Sequence, residues 1–173
     1  MMARDPAWGP VLAAAARGDM PLLHVGQSAA TVAAQFSGRQ PVYLATPYSG
    51  VVLDASGQWD YGRSVGAMMD AGRAAGDLMA LGVTAFAPVA QSCVMVHARG
   101  QFRGTARGGV EWSNGIDPMD SAAWAVWCQP MLNVCGAVVV PDLAGWDQSR
   151  GIWAEVQFAI ERCLPVFVYG GAA

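Results

Sequence analysis

The sequence contains no lysine. All ten basic residues are arginine, set against 13 acidic residues in 173, for a formal net charge of -3. So weakly acidic a chain exerts no global pull on nucleic acid or on an anionic membrane, and neither is expected as a partner. Charge of either sign is scarce, at 13% of residues against 54% apolar, which excludes a solvated, disordered polymer. No apolar run approaches the ~20 residues that span a bilayer. The first ten residues hold Arg4, Asp5 and two prolines and lack the apolar core of a secretory signal, so the expected compartment is the cytoplasm. Cysteine pairs are missing too. Cys93, Cys128, Cys135 and Cys163 form no CxxC and lie in apolar stretches, as buried thiols in a reducing compartment do. With His24 and His97 as the only histidines, far apart, no metal is expected. No Gly-x-Ser-x-Gly elbow, Gly-x-Gly-x-x-Gly turn or Walker loop is present, and no cofactor is expected.

What is present is enough apolar sequence for one domain. A chain of this length buries roughly 70% of its unfolded surface and needs no disulfide or metal staple. Residues 1–40 are Ala-rich and weakly patterned. They read as an N-terminal extension with a short helix over 11–16, a strand over 21–25 and a helix over 28–36 capped by Ser28. Residues 41–173 read as the main α/β domain. Residues 42–46 are a short β-branched and aromatic run ended by Pro47, a buried parallel strand feeding a loop. Helical spacing follows over 59–81, stopped by Gly82. Residues 83–89 read as a strand and 91–116 as a long loop rich in glycine and arginine. A helix is expected over 117–134, opened by Asp117-Pro118 and kinked at Pro130. A strand over 136–140, a helix over 149–163 and a closing strand over 165–169 complete the pattern. The alternation predicts a three-layer, flavodoxin-like fold: a parallel sheet with helices on both faces.

Ligands of open parallel sheets bind beyond the carboxyl ends of the strands. Three loops leave those ends, over residues 46–59, 90–116 and 141–148. The first carries Tyr48, Ser49 and Asp54. The third carries Trp146 and Asp147 and runs into a helix opened by Ser149, Arg150 and Gly151. Ser149 suits an N-cap, Gly151 allows close backbone approach, and free N–H groups at a helix start can hold a phosphate. Glu155 follows about one and a half turns into that helix. On spacing alone it is either a nucleophile or base in a pocket, or an ordinary solvated carboxylate.

Three segments carry a resemblance: Tyr43-Leu-Ala-Thr-Pro-Tyr-Ser49, Phe86-Ala-Pro-Val89 and Gly145-Trp-Asp-Gln-Ser-Arg-Gly-Ile-Trp-Ala-Glu155. Together, over residues 41–169, they resemble the nucleoside 2-deoxyribosyltransferase superfamily, and within it the bacterial DUF1937 family. The resemblance implies cleavage or transfer at the N-glycosidic bond of a nucleoside or nucleotide. Glu155 stands at the position of the nucleophile that attacks C1′, as carboxylates do in retaining glycosidases. Tyr43 or Tyr48 stands where the superfamily keeps a tyrosine near that glutamate. Ser149 matches the serine that hydrolases of nucleoside monophosphates set against the 5′-phosphate, where deoxyribosyltransferases carry an acid. The implied substrate is therefore a nucleoside 5′-monophosphate, with Ser149, Gly151, Trp146, Asp147 and Ser49 as binding residues. The sequence departs from the pattern twice. Cys128 replaces an aspartate expected four residues after Trp124, and Gln91-Ser92 stands where relatives show His-Ser.

The loss of that aspartate keeps two rival readings open: a non-catalytic nucleotide-binding protein on the same scaffold, and a structural oligomer with a vestigial pocket. Arg99, Arg103 and Arg107 recur every four residues among glycines, as a solvated loop or as a lid whose arginines meet a phosphate or a neighbouring subunit. Trp146 can stack on a base, whereas Trp124 and Trp127 read as core or subunit interface. High apolar content with few charges predicts a homo-oligomer, a dimer or larger.

Overall fold

The computed structural model describes residues 5–104, 110–113 and 115–170. In chain order the elements are α1 (Trp8–Ala16), β1 (Leu23–Val25), α2 (Ala29–Phe36), β2 (Val42–Leu44), α3 (Tyr61–Ala80), β3 (Ala85–Phe86) and α4 (Pro88–Arg99). There follow β4 (Gln101–Gly104), β5 (Val110–Ser113), α5 (Ser121–Val134), β6 (Ala137–Val140), a 3-10 turn at Trp146–Gln148, α6 (Arg150–Glu161) and β7 (Val166–Val168). Among the described residues no helix is long and apolar enough to cross a membrane.

Five strands form one sheet in the order β1-β7-β6-β2-β3, and every pairing is parallel. Tyr43 lies beside Val138, and Val138 beside Val166, so β2, β6 and β7 are the adjacent central strands. From β2 the chain moves outward to β3, and from β6 it moves the other way to β7. The direction reverses between β2 and β6, and the crevice beyond their carboxyl ends is where such sheets bind ligands.

Strand parity builds the layers. Tyr43, Ala45, Val138, Val140, Val166 and Val168 turn to one face, against Trp8 of α1, Leu132 of α5 and Ile152 and Val156 of α6. Val42, Leu44, Ala137, Val139 and Phe167 turn to the other, against Val32 of α2 and Leu78 of α3. Both faces are covered, which explains why β6 is an unbroken apolar run with every residue fully buried. Each such valine contributes about 1.5–3 kcal/mol over an exposed one. A third cluster joins Ala67 and Ala71 of α3 to Val89 and Cys93 of α4 under Val52.

Residues 1–40, read from sequence as an extension, contribute β1 to the same sheet, with Leu23, His24 and Val25 paired to Val166, Phe167 and Val168. The helix capped by Ser28 is present, and its hydroxyl accepts from Thr31 N. Gly82 stops α3 as expected. Its φ of +78° suits glycine, and a Cβ there would meet Ser37 Oγ at 2.6 Å.

Three expectations need correction. The strand foreseen over 83–89 is only Ala85–Phe86, because Pro88 opens α4 as a first-turn proline. The loop foreseen over 91–116 is instead most of α4 followed by an antiparallel hairpin of β4 and β5, in which Arg103 is in register with Glu111. Arg99 ends α4, and Arg107 lies outside the described residues. The cap of α5 is Asp120, which accepts from Ala122 N and Ala123 N. Asp117 caps only the turn before it, accepting from Met119 N.

Candidate active site

Tyr43 sits at the middle of β2, and parity turns it toward α6. Glu155 sits in α6, whose start is fixed by Ser149: the serine oxygen accepts from Ile152 N at 3.3 Å. The two side chains meet at the reversal point of the sheet. The Tyr43 hydroxyl donates to Glu155 Oε1 at 2.5 Å. Burial pushes the Glu155 carboxyl from 4.5 up to about 7, and the Tyr43 hydrogen bond opposes that rise. The tyrosine shifts in the same direction, toward its neutral form. Its own burial, and then the neighbouring Glu155, hold the phenol protonated far above its usual range.

Cys128 of α5 completes the cluster. Burial pushes its thiol up to about 11, a hydrogen bond with Tyr43 pulls it down, and the Glu155 charge raises it. At neutral pH this thiol keeps its proton, so it cannot act as the base that a carboxylate would be there. Around the trio runs an aromatic wall. Phe86 lies 5.7 Å from Tyr43 and 5.7 Å from Trp127, and Trp124 stands edge-on to Trp127 at 5.8 Å. Trp124, Trp127 and Cys128 share one face of α5 by their i, i+3, i+4 spacing. Sequence reasoning assigned the tryptophans to packing; the signal that tied them to the site was that spacing from Cys128.

Tyr48 belongs to a different network. Its hydroxyl accepts from Trp59 Nε1 at 2.9 Å and shares a 2.9 Å hydrogen bond with Ser64 Oγ. Ser64, fully buried, lies 3.0 Å from His97 Nε2 and 3.7 Å from Cys93 Sγ. Burial lowers the pKa of His97, favouring its neutral form. This network was not foreseen. The i, i+4 spacing of Cys93 and His97 on α4 was its one trace in the sequence. It pins residues 48–59 to α3 and α4 and thereby shapes the loop leaving β2. Ser49 is exposed on that loop, and Asp54 closes it by accepting from Ser56 N and Gln58 N. At the base of the loop Thr46 is buried, and its hydroxyl has no partner among the described residues.

The third loop divides. Trp146 is buried, 4.8 Å edge-on to Trp8, which in turn meets Trp153 at 5.0 Å. Asp147 and Gly151 are exposed, and Ser149 is partly so. Among the described residues no three His, Cys, Asp or Glu side chains are grouped to hold a metal.

Residues 40–171 match the model of a family described as Domain of unknown function (DUF1937). The chain belongs to the DUF1937 family. The DUF1937 match opens just before β2 and takes in Tyr43, Cys128 and Glu155, along with the reversal point they occupy. It leaves out α1, β1 and α2, although β1 is an edge strand of the sheet and Trp8 packs beside α6. No curated protein matches this DUF1937 chain.

Proposed function

We propose that the protein cleaves or transfers at the N-glycosidic bond of a nucleoside 5′-monophosphate. The observation that carries this reading is the Tyr43–Glu155 pair at the sheet's reversal point. A carboxylate there is withdrawn from water, held by a neutral phenol and bordered by aromatic rings. That combination suits attack on an electron-poor sugar carbon beside a flat base.

In the proposed reaction Glu155 Oε2 attacks C1′ while Tyr43 holds Oε1. The C1′–N bond breaks with its electron pair going to the base nitrogen, which takes a proton from solvent. A glycosyl ester on Glu155 results. Water then attacks C1′, the ester C1′–O bond breaks, and Glu155 recovers its carboxylate as the water loses a proton. If a second base attacks in place of water, the result is transfer. Ser149 and the first N–H groups of α6 hold the 5′-phosphate at the same helix that carries Glu155. The base rests against Phe86 and Trp127. Ser49 and Asp147, exposed on the loops near the strand ends, and Gly151, exposed in the first turn of α6, contact the remainder of the substrate, and Trp146 supports the phosphate loop from beneath.

One observation favours a second reading. With Cys128 protonated beside Tyr43, no second carboxylate activates the water, which fits a protein that binds the nucleotide and leaves it intact. A panel of nucleosides and 5′-monophosphates, followed by free-base release and by thermal shift, separates the two. Release of base supports the enzyme. A shift without release supports the binder. Neither effect with any member of the panel contradicts both.

A further inference from the structure

The carboxyl ends of β6 and β7 carry a polar pair that the chemistry at Glu155 does not use. Gly170 lies two residues past Val168, and strand alternation turns it to the face that packs on α6. It is buried, and its φ is not positive, so backbone conformation does not call for glycine there. The surroundings do. A Cβ on Gly170 would meet Asp142 Oδ1 at 2.8 Å and Trp146 Nε1 at 2.9 Å. The missing methyl is what lets these two groups converge. Asp142 follows β6 by two residues and is exposed, whereas Trp146 is only 8% exposed. Among the described residues neither the carboxylate nor the indole N–H has a hydrogen-bond or ion-pair partner.

The pair selects its ligand by chemistry. An indole N–H only donates, and a carboxylate only accepts. Both atoms lie about 3 Å from one point, so they stand within about 6 Å of each other, a gap that a single oxygen spans with two hydrogen bonds of about 2.8 Å. An oxygen that accepts on one side and donates on the other is a hydroxyl. The second carboxylate oxygen is left to accept from a neighbouring hydroxyl, as an acidic side chain does with ribose in dinucleotide-binding sheets. The carboxylate charge repels a phosphate from this spot. The sheet order keeps the base away as well: Phe86 is on β3, beyond β2, while Asp142 and Gly170 stand at β6 and β7.

We infer that Asp142 and Trp146 Nε1 bind the 2′,3′-diol of a ribose, which makes the substrate a ribonucleoside 5′-monophosphate in preference to its 2′-deoxy form. The inference rests on the nucleotide reading above and adds the sugar to it. Titration calorimetry of the full chain tests it, with Glu155→Gln present to prevent turnover. The probes are the common ribonucleoside 5′-monophosphates and their 2′-deoxy counterparts. The ribose form should bind at least about tenfold more tightly, the worth of one hydrogen bond to a charged group. Adding Asp142→Ala should erase that preference and leave the circular dichroism unchanged, because Asp142 is exposed. Equal or tighter binding of the 2′-deoxy forms, or a ribose preference that survives Asp142→Ala, overturns this inference and leaves the nucleotide reading standing. A chain that binds neither series contradicts both.

Discussion

Tyr43 and Glu155 are 112 residues apart in sequence and 2.5 Å apart in space, the phenol donating to Oε1. The phenol keeps its proton, and the carboxyl titrates near neutrality, so one neutral donor is fixed on a group that can gain or lose its charge under ordinary conditions.

That titration has a cost for the fold, and its sign is testable. Glu155 has its pKa raised from 4.5 to about 7 on folding, so between those values the folded chain holds a proton that the unfolded chain has released. Stability from this group is complete below about 4.5 and is lost as pH rises through about 7. Glu155→Gln removes the titration. At pH 8 the variant should be about 1–3 kcal/mol more stable than wild type, and the gap should close toward pH 4.5. Urea unfolding at the two pH values checks it. Base release by the same variant should vanish.

Tyr43→Phe removes the bond that restrains the rise of the Glu155 pKa. If the carboxylate is the attacking species, activity in the wild type rises with pH through about 7. In the variant that limb should move up by about one unit, with kcat/KM lowered ~10- to 150-fold at pH 7, the worth of a hydrogen bond to a charged group. A pH–rate profile for each protein reads both effects. An unmoved limb would show that Tyr43 does not tune Glu155.

The central sheet was legible because its strands are short, β-branched and bounded by Pro47, Gly136 and Pro165. Such runs declare a doubly covered parallel sheet locally. The offset of Glu155 from the helix-capping Ser149 left a pocket carboxylate and a solvated one both open, and only the resemblance carried by residues 145–155 singled it out. The hairpin of β4 and β5 was not legible: Gln101-Phe-Arg and Val110-Glu-Trp-Ser do alternate polar and apolar residues, but each strand is only four residues long and the glycines and arginines around them mimic a loop. The helix after Phe86 was hidden by Pro88, which reads as a breaker until it is seen at a first turn. Nor did local pattern show that Tyr43, Cys128 and Glu155 converge. They come from three elements, and only the β2–β6 adjacency brings them together. Tyr48 was drawn toward the site by its place after Pro47, yet its hydroxyl is engaged by Trp59 and Ser64.

Ser149 has two roles that separate experimentally. As the cap of α6 it accepts from Ile152 N, so Ser149→Ala should lower stability by ~1 kcal/mol. As a donor to phosphate it should matter only for charged substrates. The variant should weaken 5′-monophosphates more than the matching nucleosides, by calorimetry. Equal weakening of both would leave it the capping role alone.

Trp8 lies outside the family match yet is 5% exposed, packed against Trp146 and Trp153 two residues before Glu155. Trp8→Ala should destabilise the fold by ~3–5 kcal/mol, as loss of a core aromatic does. Chemical denaturation measures it. A change below 1 kcal/mol would mean that α1 is a dispensable arm.

The claim that Glu155 forms a bond to the sugar is tested most directly by acid-quenching the protein during turnover of a nucleoside 5′-monophosphate. Mass spectrometry then reads the peptide that contains Glu155. The account predicts one added glycosyl-phosphate unit on that glutamate, appearing with released base and absent from Glu155→Gln. Base released without any adduct, by a Glu155→Gln variant as fast as the wild type, would contradict it.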